Sequence, residues 1–185
     1  MSNSNGWLLS PRLALRRFSA GDLDLLDRLN SDEQAMRYLG GPVSRETTKS
    51  MLDERILGYY DQHPGFGVWV TLHRATGECI GFHLLNHIRG EACIQIGYRL
   101  FPAWWGQGYA TEMCLALLRY GYGEMKLPQI VAITDPANMA SQRVLLKSGL
   151  HRKGERTLAH PSYAPFGPQA WFERDAADWL AEFPR

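Results

Sequence analysis

The chain has 185 residues, a length that suits one domain with a sizeable core. Hydrophobic residues make up 45% and charged residues 21%, which excludes a disordered chain. The net charge is +1 with no lysine or arginine run, which argues against a nucleic-acid binder.

No apolar stretch approaches a membrane span, and the opening "MSNSNGWLLSPRLALRR" has no basic start followed by an apolar run. A cytoplasmic protein with no membrane association is expected. Cys79, Cys93 and Cys114 are odd in number and form no CxxC pair, so reduced, buried thiols are expected.

The first strand is expected over 12–18, where Leu13 and Leu15 are interspersed with arginines. Asp22 can cap a helix carrying Leu23, Leu26 and Leu29. A second helix is expected over 44–60, with Met51, Leu52, Ile56 and Tyr59 on one stripe. Three strands follow at 67–73, 79–88 and 92–101. Their connections, "RATGE" and "RGE", have hairpin chemistry, so the middle of the chain reads as an antiparallel meander.

After "WWGQG" the period becomes helical: Ala110, Met113, Cys114, Leu117, Leu118 and Gly121 recur on one face, and Gly123 can end the helix. A β-branched strand at 129–134 leads to a helix capped by Asn138 and ended by Gly149. A strand at 150–158, the loop "HPSYAPFGP", a strand at 170–174 and a short helix from Asp175 through Trp179 complete the chain. The fold class is mixed α/β, with one domain over 1–185.

Two stretches carry chemistry. In "WWGQGYATE" the first amides of the helix have no internal partners. Gly106 and Gly108 let a ligand approach them, and the helix dipole favours an anion. A phosphate loop of the GxxxxGK[ST] kind lacks its lysine here. A dinucleotide fingerprint lacks its third glycine, since Thr111 stands there, and it would follow a parallel unit rather than a meander. A plain strand-to-helix turn also fits. The second stretch is "TDPANMASQRVLLKSGL", where Asn138, Ser141 and Leu145 share a helix face.

In order and spacing, "SPRLALR", "SDEQAMRYLGGPVS", "IGF", "IGYRLFPAWWGQGYATE" and "DPANMASQRVLLKSGLHRKG" resemble the GNAT superfamily of N-acetyltransferases, and within it the RimJ/RimL type. The resemblance covers nearly the whole chain. It implies a mostly antiparallel sheet of about seven strands flanked by helices and splayed between the strands at 92–101 and 129–134. It implies acetyl-CoA as co-substrate, with no metal. The coenzyme would be bound through Tyr98, Leu100, Phe101, Trp105, Gly106, Gln107, Gly108, Tyr109, Ala110, Thr111, Asn138 and Ser141, with its pyrophosphate on the glycine-loop amides. The acceptor would be an amine, at a protein N-terminus or on a small molecule. A monomer or a homodimer would do.

The chain departs from the superfamily pattern at several places. Trp105 replaces the polar first residue of the glycine motif, Leu145 stands where many relatives carry a tyrosine acid, Gln95 where many carry glutamate, and Leu150 where phenylalanine is usual. With Leu145 unable to donate, the resemblance makes Ser141 the proton donor to the departing thiolate. Counting ten residues on from Leu150, it places His160 as the base, and an imidazole titrating near 6.5 suits that task. Gln95 could position a water, and His83 and His87 read as packing or surface residues. The incomplete acid/base set leaves a second class open, a non-catalytic acyl-CoA binding or sensing domain.

Overall fold

The computed structural model describes residues 6–184. Eight strands form one sheet in the order β1-β2-β3-β4-β5-β6-β8-β7. They are β1 (Leu8–Leu9), β2 (Leu13–Arg17), β3 (Gly67–His73), β4 (Cys79–His87), β5 (Ile94–Leu100), β6 (Gln129–Thr134), β7 (His151–Arg156) and β8 (Gln169–Asp175). The expected meander is β3-β4-β5. The strand added to the expected seven is β1, whose two residues pair with Leu15 and Ala14 and are too few to show a period.

Every pairing is antiparallel except β5 with β6, which run parallel and share a single register pair, Gln95 with Val131. Beyond that pair the two strands part, so the sheet opens where the resemblance implied.

Helix α1 (Leu23–Asn30) and short α2 (Glu33–Met36) precede a long helical run. That run is α3 (Arg45–Ser50), a π-helical segment (Met51–Leu57) and α4 (Gly58–Gln62). Its buried stripe is Thr48, Leu52, Ile56 and Tyr60, not Met51 and Tyr59 as the 3.6-residue period predicts. The wider π turns shift the face that meets the core.

On the other side, α5 (Tyr109–Gly123) buries Met113, Cys114, Leu117 and Leu118 completely. Helix α6 (Met139–Lys147) starts at Asn138, whose side chain accepts from the Ser141 amide at 3.1 Å, as expected of a cap. Asp175 precedes α7 (Ala176–Glu182) but does not cap it; its Oδ1 instead accepts from Gln129 Nε2 at 2.8 Å. No helix among the described residues is long and apolar enough to cross a membrane.

Strand β4 passes β5 most tightly at Gly81, where φ is +139° and an added Cβ would lie 2.2 Å from the Arg99 carbonyl oxygen and 2.7 Å from Leu100 Cα. Both obstacles are backbone, so neither can rotate away. Gly81→Ala is therefore expected to cost about 2–4 kcal/mol, through overpacking and a disfavoured φ. Urea unfolding that leaves the midpoint within error of the parent would show that β4 does not depend on this close approach.

Candidate active site

The chain leaving β5 turns through a 3-10 segment, Pro102–Trp104, before α5. Trp105 Nε1 donates to the Leu100 carbonyl at 2.8 Å and Gln107 Nε2 to the Ala103 carbonyl at 3.2 Å, which fixes the turn. Gly106 and Gly108 have φ of +74° and +81°, and around Gly106 nothing lies within 4 Å of a built Cβ. L-residues rarely hold that conformation, so glycine is what lets these amides present themselves side by side. The amides of 106–111 find no acceptor among the described residues. They stand at the N-terminus of a 15-residue helix, where the dipole adds positive potential.

Arg12 reaches this loop from the start of β2. Its Nε bonds Glu112 Oε2 at 2.6 Å, its Nη1 donates to the Gln107 carbonyl at 3.1 Å, and its guanidinium stacks 4.3 Å from the Tyr109 ring centroid. Glu112 also accepts from Ser10 Oγ at 2.7 Å and from the Arg12 amide at 2.8 Å. Burial alone would raise the Glu112 pKa; these bonds outweigh it and hold the carboxyl below its ordinary value. Sequence reading missed Ser10, Arg12 and Glu112 as a unit, because 100 residues separate the arginine from its partner.

In the gap between β5 and β6, Tyr98 points toward α5 and α6. Its phenol sits near Cys114 and beside Ser141; burial raises its pKa above the ordinary tyrosine value, and Ser141 eases that rise. Tyr98 and Ser141, expected in one site, are thus brought together. Stacked on Tyr98 at 5.7 Å is His83 from β4, fully buried, so of the two readings the packing one holds. His83 Nδ1 is paired with Thr71 Oγ1 at 2.7 Å, while its Nε2 lies near the Ala110 backbone in poor geometry for a hydrogen bond.

His160 is elsewhere. It opens the 3-10 turn Pro161–Phe166, and its Nδ1 accepts from the Ser162 amide at 3.2 Å. Its ring packs near Gly90 of the β4–β5 hairpin and against Tyr163 at 6.5 Å. Among the described residues it makes no hydrogen bond with Ser141. Gln95, on the opposite face of β5 from Tyr98, donates to Asn86 Oδ1 at 3.1 Å. His87 is joined to Tyr59, its Nδ1 lying 2.6 Å from the phenol oxygen, and packs on His63.

Comparison with known proteins places this geometry in a family. The model of the acetyltransferase (GNAT) domain matches residues 12–151. The uncharacterized N-acetyltransferase YoaA of Bacillus subtilis is 32% identical over 154 residues, covering 80% of this chain and 84% of that protein. The FsC-acetyl coenzyme A-N(2)-transacetylase of Aspergillus fumigatus is 35% identical over 133 residues, covering 66% of this chain and 55% of that protein. The crystal structure of a GNAT-family acetyltransferase from Bacillus anthracis superposes with a TM-score of 0.74 at 25% identity, over 92% of this chain and 98% of that one.

The His83 environment makes stability depend on pH. Burial drives its pKa down to about 3, while in the unfolded chain it titrates near 6.5. The stabilising contribution is full above pH 6.5 and is lost as pH falls toward 3, at up to about 1.4 kcal/mol per pH unit. Urea unfolding between pH 8 and 4 should show a shallower acid slope for His83→Gln than for the parent; coincident slopes would remove His83 from the acid response.

Proposed function

The chain belongs to the GNAT acetyltransferase family, and from that premise we propose that it transfers the acetyl group of acetyl-CoA to a primary amine, on a protein N-terminus or a small molecule, by direct attack on the thioester. It is an N-acetyltransferase, and acetyl-CoA supplies an activated acetyl thioester. The proposed unit is a single domain over 1–185 of the RimJ/RimL type, a reading supported by the motif "IGYRLFPAWWGQGYATE".

The observation that carries the proposal is the row of free amides at 106–111, at the head of α5 and beside the opening between β5 and β6. Those amides fit a pyrophosphate, and Arg12, itself paired with Glu112, fixes the turn that presents them by holding the Gln107 carbonyl. In this reading Leu100, Phe101 and the Trp105-to-Thr111 turn hold the coenzyme. Asn138 fixes the start of α6, and Tyr98 and Ser141 face the thiol end.

Transfer needs a neutral amine, yet a chain terminus titrates near 8 and lysine near 10.4. It also needs a proton for the departing thiolate. Ser141, held in the first turn of α6 beside the Tyr98 phenol, is the proposed donor. His160 is the proposed base only in a form that releases its cap. While Nδ1 accepts from Ser162, the neutral ring carries its proton on Nε2 and cannot take another there. A water held by Gln95 and Asn86 is the alternative acceptor of the proton.

Three variants test this. Gly108→Glu puts a carboxylate among the loop amides and should weaken coenzyme A binding at least tenfold, about 1.4 kcal/mol, by calorimetry; unchanged affinity in a folded variant would remove the loop from the coenzyme site. Ser141→Ala should lower turnover about 10²–10⁴-fold in a thiol-release assay with little change in the KM for acetyl-CoA. His160→Ala should lower the rate at neutral pH and be partly rescued at high pH, where more of the amine is free. A profile that overlays the parent moves the base role to the water near Gln95.

A further inference from the structure

Arg99 lies on β5, four residues beyond Gln95 and on the same face, so about 13 Å along the strand from it. That face looks toward α1, away from Tyr98 and Ser141. The guanidinium packs over the Phe82 ring at 5.1 Å, opposite it across the β4–β5 pairing. Its Nη1 donates to Asn30 Oδ1 at 2.5 Å, and Asn30 in turn donates to Thr48 Oγ1 at 3.1 Å. Asn30 and Thr48 are fully buried, so this relay holds the guanidinium in one orientation.

What the guanidinium lacks is an anion. None of the salt bridges among the described residues includes Arg99. Its Nε is buried with no hydrogen-bond partner, and Nη2 makes no hydrogen bond to a described residue. Burial lowers its pKa to about 10, and no acidic group offsets the effect. A buried charge without a counter-charge is costly, and proteins ordinarily pair it. The residue as a whole stays partly exposed, and a guanidinium without a counter-charge is what a carboxylate engages best.

Resting on the transferase reading above, we propose that Arg99 is a specificity-determining residue whose unpaired guanidinium binds a carboxylate of the amine acceptor. The acceptor is then an amine that also carries a carboxylate, and Asn30 with Thr48 sets the angle of the fork. The carboxylate has two possible sources, the α-carboxylate of a short free peptide and the acidic side chain near a protein N-terminus.

The test is calorimetry on the full chain saturated with coenzyme A. One arm compares the dipeptide Ala-Ala with its C-terminal amide. The other compares amidated Asp-Ala with amidated Asn-Ala. In at least one arm the parent should bind the carboxylate member about 10–100-fold more tightly, the worth of one hydrogen-bonded charge. Arg99→Gln should abolish that preference, and Arg99→Lys should keep part of it. Neither variant should change coenzyme A affinity.

Equal binding of acid and amide by the parent in both arms overturns the proposal and does not depend on any variant folding. A preference that survives Arg99→Gln also overturns it, and a loss of coenzyme A affinity assigns Arg99 to the coenzyme instead. Thiol release is read separately. Release that is equal for acid and amide refutes only the role of Arg99, whereas absence of release with every amine refutes the transferase reading.

Discussion

The parting of β5 from β6 is the constraint on which the rest of the molecule depends. An internal strand of a sheet normally spends its backbone groups on both neighbours, and leaving them unspent in the interior is costly. Here β5 is fully paired with β4 but meets β6 at one position, Gln95 with Val131. The sheet is held open by what surrounds the gap. Helix α5 packs its apolar side, Met113 to Leu118, into the core on one side, and α6 begins directly after β6. The strands on either side keep full ladders, β4 with β5 and β6 with β8. The gap is therefore a stable feature of a well-paired sheet.

A gap of this kind serves a ligand only if its mouth is fixed. That is the work of the Arg12–Glu112 pair and of Ser10, which tie the start of β2 to the first turn of α5. The pair is half in water, so its worth as a salt bridge is small. Its value is geometric. One carboxylate accepts three donors from one short segment, while the same arginine holds the Gln107 carbonyl. The turn that presents the free amides is thereby anchored to the sheet at a site far away in sequence. A loop of glycines without this anchor would have to be ordered by the ligand at an entropic cost.

The parts legible in the sequence are those whose signals are local. Period and turn chemistry find the meander, α5, β6 and the Asn138 cap, because each is decided within a dozen residues. The glycine loop is legible for the same reason. The rest is set by partners distant in the chain. Ser10, Arg12 and Glu112 read separately as a turn, a strand start and a helix residue. His83 sits in an apolar stretch of β4 and Arg99 in a β5 of alternating polarity, and nothing adjacent shows that one is stacked and uncharged or that the other lacks a counter-charge. The π-helical segment is invisible to a 3.6-residue template, which assigns Met51 and Tyr59 to a stripe that Thr48 and Tyr60 occupy. The resemblance locates His160 only by its distance from Leu150; whether its ring nitrogen is free depends on the turn it caps.

The two faces of β5 carry different side chains. Tyr98 goes toward α5 and α6 with Ser141, while Gln95 and Arg99 go toward α1. Successive side chains of a strand point to opposite faces, so neighbouring residues 98 and 99 serve opposite sides of the sheet at a rise of about 3.3 Å. In the proposed reading, the acetyl donor and the amine acceptor would use side chains on opposite faces of this one strand. The same alternation makes register decisive. A slip of one residue between β4 and β5 would carry Arg99 to the α5 side and Tyr98 to the α1 side, and both would lose their partners. Two features oppose such a slip. Gly81 fits against the Arg99 carbonyl as only a residue without a Cβ can, and the irregularity after Thr71 re-aims the β3–β4 pairing just before it. The stacking of His83 on Tyr98 and of Arg99 over Phe82 then matches each side chain to its cross-strand neighbour. The meander is thus the element that decides which side chains face α5 and α6 and which face α1.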